Sequence, residues 1–243
     1  MILKSSAIVL HSFKYGESSL ILKVYSEQSG LISCLVHGVR KSKSQNKAAF
    51  FQTLNRLELV YYQKNKDQMV VVKEVKLTKP YTTMHSDMRK TSIALFVADV
   101  LLKSFKEEQS NPGFYNYLEQ EFDKLDIAKS NFSNIHLEIL MRIAFEHGIK
   151  PMNNYSQQAS LFDLQNGMFV EKTPEHNNYL STDTSLIFNQ LILKTERTNE
   201  IFLLKREERK HLLTALLQYL KIHLSGFGEI KSLEILEEIL SEG

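Results

Sequence analysis

The 243-residue sequence predicts an α+β protein: an N-terminal five-stranded β-barrel, then a mainly α-helical domain with an inserted β-hairpin. Three observations predict it. Residues 1–80 hold five short runs rich in Val, Ile, Leu and Tyr, separated by turn residues. From about residue 86 the apolar residues recur at the three-and-four spacing of amphipathic helices. Within a polar stretch at 149–181, Asn166-Gly167 stands between two apolar arms, a strong short hairpin signal.

The strands are expected at residues 7–13, 20–26, 30–37, 57–63 and 69–77. Tyr15-Gly16-Glu17-Ser18 makes the first turn, with Gly16 free to take a positive φ, and Gly30 closes the second. A long gap follows the third strand. The five-stranded OB barrel has this count, with a helix or loop in that gap, although an SH3-like barrel satisfies the same periodicity. Beyond Pro80, Ser86-Asp87 offers an N-cap, and Ile93, Phe96, Val97, Val100, Leu101 and Phe105 form one helical face. Asn111-Pro112-Gly113 interrupts the chain before a second face at Phe114, Tyr117, Leu118, Phe122 and Leu125. A third helix is expected over 133–147, ended by Gly148, with Glu138 and Arg142 four apart as a surface pair. Helices resume at about 184–193, 207–224 and 233–240. The expected domains are 1–80 and 81–243, the second interrupted by the loop and hairpin of 149–181.

Composition excludes several classes. The longest apolar run, 93–102, is broken by Asp99 and is too short to span a bilayer. The N-terminus has no secretory pattern, and a single cysteine, Cys34, makes no internal disulfide, so a cytoplasmic protein is expected. Eight histidines, at 11, 37, 85, 136, 147, 176, 211 and 223, stand singly without the i, i+4 spacing of a helical zinc site, and no metal or other cofactor is expected. Ser225-Gly226-Phe227-Gly228-Glu229-Ile230-Lys231-Ser232 ends like a phosphate loop. A helix precedes it, however, and Ile230 stands where Gly is required, so it reads as a helix C-cap, a turn and an N-cap at Ser232. Cys34 lies in an alternating strand, no spacing singles out an acid–base pair, and the protein is read as non-enzymatic.

The charge is uneven. Residues 1–80 hold 13 Lys and Arg against 5 Asp and Glu, a net of +8, whereas the remainder is −6. The cations concentrate after the third strand, where Arg40, Lys41, Lys43 and Lys47 share one short stretch with no acid. Lys14, Arg56, Lys64 and Lys66 lie in or beside other loops. A barrel that tracks a phosphate backbone needs such cations and flat side chains on which bases stack. Phe13, Tyr15, Tyr25, Phe50, Phe51, Tyr61 and Tyr62 are the aromatics; at least half belong to the barrel core, and Tyr15, in a turn, is the stacking candidate. A second cluster, Lys205-Arg206 with Arg209-Lys210-His211, opens a helix where the macrodipole disfavours cations, and is read as a docking site for an acidic peptide or phosphate, or else as an exposed helix face.

Four stretches together resemble the RecO family of bacterial recombination mediators: YGESSLILKVYSEQSGLIS (15–33), HGVRKSKS (37–44), FEHGIKP (145–151) and LSGFGEIKSLEIL (224–236). The resemblance covers essentially the whole chain. Many relatives carry a four-cysteine zinc module where residues 153–178 lie; this chain has no cysteine there and resembles a zinc-free branch in which the Asn166-Gly167 hairpin replaces the metal. The resemblance implies an OB-fold that binds single- and double-stranded DNA, the partner RecR, joined in some members by RecF, the acidic C-terminal tail of the single-strand-binding protein SSB, annealing of complementary strands, loading of RecA onto SSB-coated strands, and association with the nucleoid. The rival readings are an RNA-binding OB module and a protein-interaction scaffold without a direct DNA role.

Overall fold

The computed structural model describes residues 2–39, 49–62, 69–106, 110–196 and 202–241. The chain divides into two compact units, Met1–Ile127 with Ile230–Leu236, and Ala128–Glu229 with Glu237–Gly243.

In the first unit, β1 (Ile2–Tyr15), β2 (Ser19–Ser26), β3 (Gly30–Val36), β4 (Arg56–Tyr62) and β5 (Val70–Leu77) close a barrel in the order β1-β2-β3-β5-β4. Neighbours are antiparallel except β3 and β5, and β4 returns to β1. This is the OB arrangement, so strand pairing resolves the choice that periodicity left open. Gly16 and Gly30 take the positive φ expected of them. Alternation puts Ala7, Val9, Leu22, Val24, Ile32, Cys34, Leu57, Leu59, Tyr61 and Val70 inside the barrel, with Val39 and Phe51 packed among them.

The alternation of β1 is broken once. Val9 pairs with Val24, but His11 pairs with Lys23, so Leu10 is an extra residue in a β-bulge. The bulge is pinned from the other side. Past the Ile8–Arg56 pair, Val9 donates to the Asn55 carbonyl (2.9 Å) and accepts from the Leu54 amide (2.6 Å), with Leu54 held at φ +64°. Before the bulge the odd residues of β1 face the core; after it they face outward.

Two helices complete this unit. α1 (Met88–Ser104) is capped by Asp87, which accepts from the Arg89 and Lys90 amides. α2 (Pro112–Ile127) starts with Pro at its first position, and Asn111 accepts from the Phe114 amide at 3.0 Å. Tyr25, outside the barrel core, packs on Phe105 and Phe114. Two polar knots hold α2. Arg56, pointing out of β4, donates to Asp123 at 2.7 Å, lies 3.9 Å from Glu119, and stacks 5.1 Å from the Tyr81 ring centre. Asp126 accepts from the Thr82, Thr83 and Met84 amides at 2.8–3.1 Å and from the Thr82 hydroxyl, while buried Lys90 donates to the Asp126 carbonyl at 2.7 Å. Segment 230–236 belongs to the same unit; Ser232 donates from its amide and hydroxyl to Asp99 at 3.2 and 3.1 Å. Ser232 therefore stands at the start of α6 (Leu233–Ser241), as a cap position and not a phosphate loop.

The second unit is built from α3 (Ile135–Glu146), the hairpin β6 (Leu161–Asp163) and β7 (Met168–Val170), α4 (Thr182–Glu196) and α5 (Arg206–His223). Gly148, at φ +71°, follows α3, and Arg142 donates to Glu146 at 2.6 Å, four residues further along the helix. The hairpin loop has four residues. Asp163 organises it by accepting from the Gln165 and Asn166 amides and the Asn166 side chain at 2.7–3.0 Å. Asn154 acts as a substitute strand partner, exchanging two 2.9 Å bonds with the Phe169 backbone. Phe162 stacks on Phe188 at 4.4 Å and meets Phe169 edge-on at 4.9 Å, and Tyr219 closes the cluster with His223. Tyr219 donates to the Ile149 carbonyl and His223 to the Leu164 carbonyl, both at 2.8 Å. Aromatic packing thus holds the segment in which the resemblance places a zinc module in other members.

Gly167 sits at φ +64°, and a Cβ there would lie 2.8 Å from the Tyr219 hydroxyl oxygen. Gly167→Ala is expected to destabilise by about 2 kcal/mol, from left-handed strain and from the clash with an anchored ring. In a Tyr219→Phe background the added cost of Gly167→Ala should shrink, because the clashing oxygen is gone. Equal costs in the two backgrounds, measured by denaturant titration, would contradict this coupling.

Candidate nucleic-acid interface

The expected phosphate grip falls largely outside the described residues: Arg40, Lys41, Lys43, Lys47, Lys64 and Lys66 all do. Of the flanking residues, Lys14 and Tyr15 are exposed at the end of β1, Tyr15 at 52 %. Arg56 departs from expectation. Its side chain is only 5 % exposed, because position 56 points outward from the barrel onto α2, where Asp123 and Glu119 meet it. Burial alone would lower its pKa, but the bond to Asp123 and the nearby charges raise it. Arg56 is a structural cation, its guanidinium taken up by Asp123, Glu119 and the Tyr81 ring and not presented to DNA. In the second cluster, Lys205, Arg206 and Lys210 are exposed, whereas Arg209 turns inward to donate to Asn134 (2.9 Å) and the Leu204 carbonyl (3.2 Å). Glu208 offsets the cations at the helix start by accepting from the Lys205 amide at 2.7 Å.

The aromatics divide as follows. Phe51 and Tyr61 lie in the barrel core, with Phe50 packed against it. Tyr25 is buried against α2, and Phe13, Tyr15 and Tyr62 are exposed.

Strand register arranges the exposed residues into a row. Phe13 lies opposite Ile21, Ile21 opposite Leu35, Leu35 opposite Val71, and Val71 opposite Tyr62. All five point out of the barrel; Phe13, Val71 and Tyr62 are 41, 40 and 43 % exposed, and the other two are half-buried. Polar residues flank the row. On one side His11 lies opposite Lys23, Lys23 donates to Ser33 at 2.6 Å, and Lys73 extends from β5. On the other, Tyr15 lies opposite Ser19, whose hydroxyl is 3.0 Å from His37 Nδ1. The described chain then leads directly into the basic segments 40–48, after Val39, and 63–68, after Tyr62.

Sequence reasoning missed the placement of His11, Phe13, Lys23, Tyr62 and Val71. No composition signal marks it, since strict alternation from Ala7 and Val9 would turn Phe13 and Tyr15 inward. The bulge at Leu10 decides their direction.

Other chemistry is weak here. Cys34 is buried in the barrel, where burial pushes its thiol up to about 12 despite the opposing charge of Lys23, so it is no nucleophile. Burial, and secondly the Arg209 charge, bring His136 down to about 3, a neutral core imidazole. No group of three metal-ligating side chains occurs among the described residues, and no helix among them is long and apolar enough to cross a membrane.

The family model described as Recombination protein O N terminal matches residues 1–81, and Recombination protein O C terminal matches residues 85–234. The chain belongs to the RecO family. The DNA repair protein RecO of Azobacteroides pseudotrichonymphae is 33 % identical over 239 residues, covering 98 % of this chain and 99 % of the relative. That of Flavobacterium psychrophilum is 34 % identical over 244 residues, covering 99 and 100 %. That of Phocaeicola vulgatus is 33 % identical over 241 residues, with the same coverage. This RecO-family chain is thus a DNA repair and recombination protein on an OB-fold, and its relatives are named for repair, not for a catalytic activity.

Proposed function

We propose that this chain is a non-enzymatic DNA-binding mediator of recombinational repair. Arg40, Lys41, Lys43 and Lys47 grip phosphates of single- and double-stranded DNA, with Lys14, Lys64 and Lys66 beside them. The observation that carries this reading is an OB barrel, in a member of a family of DNA repair proteins, whose third strand leads into a short stretch with four cations and no acid. Two complementary strands repel through their phosphates; neutralising several on each, with base edges left free, lowers that barrier without a catalytic residue. The same activity serves annealing and the loading of RecA onto SSB-coated strands. RecR, joined in some members of the family by RecF, is the proposed partner, as the family resemblance implies. The exposed Lys205, Arg206 and Lys210 are the proposed contacts for the acidic tail of SSB. The site of action is the cytoplasm, at the nucleoid.

Annealing of complementary oligonucleotides, followed by fluorescence, tests the function and the site together. With about five phosphates neutralised, log K against log salt should fall with a slope near −3 to −4 on single strands. Arg40→Glu/Lys41→Glu should slow annealing and flatten that slope by about 1 to 2. An unchanged slope would remove both residues from the site, and no annealing by the wild type would remove the function.

A further inference from the structure

We infer that Asn166 is a self-modification site: the Gly167 backbone nitrogen attacks its side-chain amide when the hairpin loop opens, and the contacts of Asp163 suppress that reaction while the loop is closed.

Asn166-Gly167 is the only Asn-Gly pair in the chain. The Cγ of an asparagine lies within reach of the next backbone nitrogen, and glycine there has no side chain to obstruct the approach. The nitrogen gives its proton to water or hydroxide, and its electron pair bonds to Asn166 Cγ. The Cγ–Nδ2 bond breaks, and ammonia leaves carrying a proton from the solvent. The product is a cyclic imide. Water then opens the ring at either carbonyl and leaves aspartate or isoaspartate at position 166. One water is consumed and one ammonia released, with no oxidant, metal or second protein.

The closed loop opposes each step. The Gly167 N–H donates to the Asp163 carbonyl at 2.8 Å, which holds the proton that the nucleophile must lose. The Asn166 side chain is turned back toward residue 163: Nδ2 donates to Asp163 Oδ2 at 2.7 Å, and the Asn166 amide donates to Oδ1 at 3.0 Å. Cγ reaches the Gly167 nitrogen only after that side-chain bond breaks. The Asp163 carboxylate also stands beside the reacting carbon, where it repels the oxyanion that attack would create on Asn166 Oδ1. Asp163 is itself buried, with His176 Nε2 3.4 Å from Oδ2. The Met152 amide donates to the Gly167 carbonyl at 2.8 Å and fixes the far side of the same residue.

The fold demands the reactive pair. Gly167 is required by its φ of +64° and by the Tyr219 hydroxyl against it, and Asn166 supplies the donors that bind Asp163. Asn166 stays exposed, so water for the hydrolysis is at hand. Reaction undoes the loop. Aspartate at 166 sets a second carboxylate where a donor met Asp163, and isoaspartate lengthens the main chain by one carbon between the Asp163 and Met152 bonds. Each opening that goes to completion therefore leaves a permanent mark on the hairpin that carries Phe162 and Phe169.

The test uses the full chain, incubated at mildly alkaline pH in buffer and in denaturing guanidinium chloride, both in water enriched in heavy oxygen. Digestion and mass spectrometry then read label and mass gain at each asparagine. In denaturant Asn166 should convert ahead of every other asparagine. In buffer it should convert about tenfold or more slowly, because only the opened fraction reacts. Asp163→Asn keeps an acceptor for the backbone amides but removes the charge, and should speed conversion of Asn166 in buffer several-fold. Asn166→Asp, the product itself, should lower the midpoint of a denaturant titration. Equal rates in buffer and denaturant would overturn the inference, as would an Asn166 no faster than the other asparagines when unfolded, or an unchanged rate in folded Asp163→Asn. The wild-type comparison needs no variant and decides the matter if Asp163→Asn does not fold.

Discussion

Replacing Arg56 with Ala is expected to lower the melting temperature by about 6–12 °C without altering the salt slope of DNA binding by the folded protein. The guanidinium is buried between β4 and α2, bonded to Asp123 and stacked on Tyr81. Removing one member of a buried ion pair costs about 3–5 kcal/mol, because the partner charge stays behind. Here Asp123 and Glu119 are each about one-third exposed, so water screens the charge left behind and the loss belongs at the lower end, about 3 kcal/mol. Asp123 would then keep Lys79 at 3.0 Å, and Glu119 the Tyr115 hydroxyl at 3.3 Å, but both would lose the guanidinium. Arg56→Lys should recover only part of the loss, since an ammonium supplies neither the planar fork nor the stacked plane. A full-strength melting transition with a flattened salt slope would put Arg56 back on the DNA surface.

Asp126 carries the second large effect. Burial pushes its carboxyl up, but the amides of Thr82, Thr83 and Met84 and the Thr82 hydroxyl outweigh it and bring the pKa from 3.8 to about 2. The folded value lies below the unfolded one. The stabilisation is therefore complete above about pH 4 and is lost as pH falls toward 2. Its size is about 2 kcal/mol. Asp126→Ala should cost somewhat more, about 3 kcal/mol at neutral pH, because the Met84 amide is left buried without an acceptor. The difference in stability between wild type and Asp126→Asn should be constant above about pH 4 and close toward pH 2. A difference that persists at pH 2 would mean that the amide substitution disturbs packing and that the carboxylate charge is not what holds the turn.

Both sites hold the same junction, the chain leaving β5 and the end of α2. Composition hid this. Asp123 and Asp126 read as ordinary polar positions on an amphipathic helix, and Arg56 as a loop cation next to a basic cluster. An ion pair across 67 residues has no local signature.

Elements with a local cause were legible. Period-two runs marked all five barrel strands, and three-and-four spacing marked the six helices among the described residues to within a few positions. Asp87 capped the helix it preceded, Gly148 ended the one before it, and Asn166-Gly167 did mark a hairpin, although in a four-residue loop tied by Asp163.

What the amino-acid sequence determined alone was therefore the order and type of its elements, the charge excess of its first 80 residues and its family, because each is written in neighbouring residues or in composition. What only the folded chain decided was direction. Strand pairing chose the OB order, one added residue at Leu10 turned Phe13 to the outside, and packing of α2 turned Arg56 from a surface cation into a buried one. Direction depends on register between segments distant in sequence, and a shift of one residue reverses it.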